Sequence, residues 1–65
     1  MRAPLNIGRT AYALIQLYGE DGAEVARRRS DFCASKNLAV AAAEWRLVVR
    51  KIDEFLLEWQ DGPQH

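Results

Sequence analysis

Apolar residues recur along most of this chain at intervals of three and four, the spacing that gathers one stripe on one face of an α-helix. Ala11, Leu14, Ile15 and Tyr18 predict a first helix from about Arg9 to Tyr18. Gly19 follows directly, where a left-handed cap wants a residue without Cβ, and Asp21 stands three before Glu24 as in a capping box. A second helix is expected over residues 22–36, with Val25, Ala26, Phe32 and Cys33 on one face and Arg29 between them. Glu24 with Arg28, and Arg27 with Asp31, are spaced to meet across one turn, each pair contributing about 0.2–0.5 kcal/mol.

The third pattern is the clearest. Leu38, Ala41, Trp45, Val48, Ile52, Phe55 and Trp59 alternate steps of four and three, predicting a helix over residues 38–60. Val49 and Leu56 widen its stripe, and Ala41, Ala42 and Ala43 combine high helix propensity with room for close approach. Pro4, Asn6 and Gly8 mark residues 1–8 as an extended lead whose Leu5 and Ile7 pack as an arm. Asp61, Gly62 and Pro63 end the last helix, leaving Gln64 and His65 as a flexible tail within 61–65. The expected fold is a single all-α domain over residues 1–65, a helical hairpin with a short N-terminal third helix.

The third helix would span roughly 33 Å at 1.5 Å per residue, matching the first two together. One junction stays open. Ser35, Lys36 and Asn37 contain neither Gly nor Pro, and Asn is the second choice for a left-handed cap. A turn there closes a hairpin; a continuous helix of about 40 residues would be stable only in a multimer.

The residues Tyr18-Gly19-Glu20-Asp21, then Arg29 and Asp31, then Trp45, Ile52 and Glu54 resemble a pattern in a group of short bacterial proteins of uncharacterised function. The resemblance runs from Tyr18 to Phe55 without a gap. It implies a helical hairpin, with a tyrosine-glycine-acidic opening, an arginine and an aspartate inside the helix, and a turn leading to a tryptophan-bearing helix. Asn37 and Leu38 stand where that group has a Gly-Asp turn. No activity comes with the resemblance.

Size limits what such a hairpin can bury. A 65-residue, 7.4 kDa chain with 49% hydrophobic residues buries only about 60% of its unfolded surface, for roughly 3–5 kcal/mol of stability. A single cysteine makes no intramolecular disulfide and suits a reducing compartment. Efficient helix packing or burial against a partner must supply the remainder, so a homo-oligomer is expected. Nine basic and nine acidic side chains cancel, leaving no global field for a polyanion or an anionic membrane. Met1 to Gly8 carries no apolar run of the secretory kind, and no stretch approaches the roughly 20 apolar residues of a membrane span. A cytoplasmic protein without membrane attachment is expected.

The candidate chemistry is sparse. Cys33 has Arg29 four positions before it, but Phe32 and Ala26 give it an apolar setting and the one histidine, His65, lies in the tail. A buried small hydrophobe is expected. One Cys and one His do not make a tetrahedral metal set, and the carboxylates fall at capping or solvent-facing positions with no phosphate loop or nucleophile motif. A non-enzymatic protein without metal or cofactor follows. Arg27, Arg28 and Arg29 spread around their helix at about 100° per residue, and Leu38 to Ala43 carry no basic or polar side chains for base edges. Arg29 is expected to snorkel to the edge of its stripe or to bridge to Asp53 or Glu54 of the third helix, with contact to an acidic partner as the alternative.

Trp45 is expected in the core, whereas Phe55, Leu56, Leu57 and Trp59 form the candidate partner-binding surface. Asp53, Glu54, Glu58 and Asp61 make that end acidic, which disfavours anionic lipid. The function expected is that of a small helical interaction or accessory protein, self-associating through the seam of residues 38–60. The alternative is a small regulator that contacts nucleic acid through Arg27 and Arg28 once dimerisation has doubled the basic surface.

Overall fold

The computed structural model describes residues 5–61, with side chains for residues 5–58. The residues before and after lie outside the described range, as does the Trp59 side chain; of the expected tail at 61–65, Asp61 belongs to the last helix and residues 62–65 are not described. All regular structure among the described residues is helical. The chain forms α1 (Ile7–Tyr18), a 3-10 turn (Gly19–Asp21), α2 (Gly22–Ser35) and α3 (Ala39–Asp61).

Local chemistry sets each boundary. Asn6 has extended backbone and its side-chain oxygen accepts the Arg9 N–H at 3.0 Å, so it is the N-cap of α1. Ile7 and Gly8 therefore belong to the helix instead of an extended lead, and α1 starts two residues before Arg9. Gly19 ends α1 at φ +60°, a conformation that costs glycine little, and its N–H donates to the Ile15 carbonyl. The expected capping box is not made. Asp21 has helical φ and ψ inside the 3-10 turn, where its carboxylate makes no cap bond, because capping geometry requires extended backbone. Residues 7–35 are thus helical through the turn, and α2 starts so close to α1 that a Cβ on Gly22 would lie 3.1 Å from the Leu14 carbonyl oxygen.

At the open junction the chain turns. Asn37 takes the left-handed conformation at φ 62°. The Leu38 N–H donates to Cys33 O at 2.9 Å and the Asn37 N–H to Ala34 O at 3.1 Å, the paired bonds of a Schellman cap. The continuous rod is excluded, and α3 folds back along α2. Ser30 Oγ, the one buried polar side chain among the described residues, donates to the Ala42 carbonyl at 3.0 Å and sets the register.

The core joins all three helices. Ala11 and Ile15 of α1, Ala26 of α2, and Val48 and Ile52 of α3 form one buried cluster, with Leu5, Ile7, Leu14, Trp45, Val49, Phe55 and Leu56 packed around it. The seam of α3 is therefore covered in its middle by α1 and α2. Two details differ from the periodicity. The buried face of α2 is Gly22, Ala26, Ser30 and Cys33, while Phe32 is 58% exposed. At the start of α3, Ala42 is buried instead of Ala41, and Leu38 is exposed. Both have one cause: the small residues and the Ser30 bond bring the two backbones together, so larger neighbours are left at the flanks.

Candidate interaction surface

Cys33 is buried on the α2 face against α3. Glu24 binds both Arg27 and Arg28 at 3.2 Å, so the Arg27–Asp31 pair gives way to a shorter reach toward the N-terminal side. These are exposed pairs, of the kind worth about 0–1 kcal/mol. Arg29 does not bridge to Asp53 or Glu54; its guanidinium lies 5.9 Å from the centre of the Trp45 ring. The register explains this. With residue 30 level with residue 42, Asp53 lies about 12 Å beyond Trp45 along α3, at ~1.5 Å per residue. Glu54 instead accepts from Lys51 at 3.1 Å.

Among the described residues no group of three or more His, Cys, Asp or Glu is placed to hold a metal ion, and no helix is long and apolar enough to cross a membrane. A shallow groove of about 390 Å³ runs along α2, lined by Val25, Arg28, Arg29 and Phe32. Lys36 Nζ lies 5.6 Å from the Phe32 ring centre.

The expected partner-binding residues split. Phe55 and Leu56 are partly buried and pack against the core, and Lys51 lies 5.8 Å from the Phe55 ring centre. Leu57 is 60% exposed, and the Trp59 side chain lies outside the described residues. Trp45 is half-buried against the core beneath Arg29.

No protein-family model matches this chain, and neither does any curated protein or solved structure. The most exposed apolar side chains of α3 are Val40 at 72%, Leu57 at 60% and Leu47 at 48%. Ala43, Arg50 and Glu54, also exposed, complete the face that carries them. Two residues along a helix is a rotation of about 200°, so Arg50 lies nearly opposite both Val48 and Ile52. This stripe is the back of α3, away from α1 and α2. The stronger apolar seam hid it in the sequence: charged residues interrupt the stripe, and only its three-and-four spacing marked it out.

Proposed function

We propose that this is a small non-enzymatic helical interaction protein of the cytoplasm, acting by self-association through α3. One observation carries the reading. Among the described residues only Val48 and Ile52 are large side chains with less than 2% exposure, whereas eight large hydrophobic residues remain about half exposed or more. So small a core leaves the chain with little stability of its own, and burial against another helix is the natural supplement. The middle of the α3 seam is already occupied by α1 and α2. In this reading the contact takes in the C-terminal end, where Phe55, Leu56, Leu57 and Trp59 are the candidate residues and Leu57 is 60% exposed, together with the exposed back of the helix. The short N-terminal helix serves as a cover for the hairpin in this reading, and the resemblance to short bacterial hairpin proteins is compatible with it.

The nucleic-acid reading has less support, because Arg27 and Arg28 share Glu24 and lose part of their positive field. The two are separated by size-exclusion chromatography with light scattering. Leu57→Asp is expected to reduce the associated mass while the double variant Arg27→Gln, Arg28→Gln leaves it unchanged. Association that ignores Leu56→Asp, Leu57→Asp and Trp59→Ala, or salt-sensitive nucleic-acid binding lost with the arginines, would overturn the proposal.

A further inference from the structure

Resting on the reading above, we propose that the back of α3 packs against the same face of a second copy, antiparallel, about a two-fold axis that passes behind Ile52. Leu47, Arg50, Glu54 and Leu57 carry this, the four residues nearest the axis in the exposed run Val40, Ala43, Leu47, Arg50, Glu54 and Leu57. Their steps are three, four, three, four and three, a heptad seam on the side of the helix opposite the core.

The charges choose the orientation. Along this side Arg46 and Arg50 come first and Glu54 and Glu58 follow. Parallel copies would set like charges against like. Antiparallel copies set unlike charges together, because a two-fold axis at residue 52 pairs positions equidistant from it. Arg50 then faces Glu54 of the second copy, Arg46 faces Glu58, and Leu47 faces Leu57, each contact occurring twice. The two leucines are 48% and 60% exposed in the single chain, so both have surface to bury. Glu54 is held in the single chain by Lys51 at 3.1 Å, but both side chains are exposed and such a pair is easily exchanged. The occupant is a second copy because the face around the axis is complementary to itself in charge and sets Leu47 against Leu57.

The test uses the full chain with Arg50→Glu and, separately, Glu54→Arg, followed by sedimentation velocity. Each variant alone places two like-charge contacts in every dimer, and its dimerisation is expected to weaken about tenfold. An equimolar mixture is expected to recover the wild-type affinity, since each substituted side chain then meets its opposite. Circular dichroism controls for helix content, and any penalty within one helix is the same alone and in the mixture. A wild-type dimer whose variants pair no better mixed than apart overturns the antiparallel register while leaving self-association standing. A wild-type chain that stays monomeric overturns both this inference and the function it rests on.

Discussion

Ile52 is the position at which the packing is most directly put to a number. Its side chain is fully buried, in a cluster completed by Ala11, Ile15, Ala26 and Val48. These five residues come from all three helices, so loss of volume here is felt by the whole fold. Ile52→Val removes one methylene and should cost about 0.5–1.5 kcal/mol, whereas Ile52→Ala should cost about 2–5 kcal/mol. The second value rivals the entire stability of roughly 3–5 kcal/mol expected for a domain of this size. Leu47, 48% exposed on the back of α3, supplies the contrast: at low concentration Leu47→Ala should change stability by about 0.5 kcal/mol or less. Thermal unfolding followed by circular dichroism reads these differences, since 1 kcal/mol moves the midpoint of so small a domain by roughly 4–8 °C. The expected order is wild type and Leu47→Ala together, Ile52→Val several degrees lower, and Ile52→Ala largely unfolded at room temperature. An Ile52→Ala chain that melts within a few degrees of wild type would refute the placement of the core.

Three further expectations concern the turns and the helix contact. Gly19→Ala should lower stability by about 1–2 kcal/mol in urea unfolding, because φ +60° forces Cβ against the backbone. At Asn37, φ 62° makes glycine the better residue, so Asn37→Gly should raise the urea midpoint slightly and Asn37→Ala should lower it; equal midpoints would argue against a left-handed cap. Ser30→Val should cost about 1–3 kcal/mol by removing the bond to the Ala42 carbonyl and overfilling the closest approach of α2 and α3.

The sequence made the helices legible because hydrophobic periodicity reports burial over many residues at once. It was weaker wherever one side chain decides the geometry. In the hydrophobic pattern Asn6 is only punctuation, yet an Asn directly before an apolar helical run is an N-cap signal, and it moves the start of α1 to Ile7. Asp21 and Glu24 had capping-box spacing, but spacing does not reveal that Asp21 would sit in a 3-10 turn with helical angles. The turn at Asn37 was undecided on propensity alone. Its outcome came from two backbone hydrogen bonds and from the tertiary contact of Ser30 with Ala42 that follows once the chain turns. The same contact rotated the buried face of α2 away from Phe32 and carried Arg29 to Trp45 instead of Asp53 or Glu54. Helix register between two elements depends on which pair of small residues meets, and periodicity within one helix carries no such information. The back of α3 escaped for a related reason: a seam in which Arg50 and Glu54 replace apolar residues has little hydrophobic contrast, although its heptad spacing is as regular as that of the core face.

The central claim, that this chain completes its packing by pairing α3 with another copy, is tested most directly by sedimentation equilibrium of the wild-type protein from about 1 to about 500 µM. The expected result is a mass that rises with concentration from the 7.4 kDa of one chain toward twice that value and stops there, as closure by a two-fold axis requires. A mass fixed at one chain across the whole range, with helix content intact, would show that α1 and α2 alone satisfy α3 and would contradict the claim.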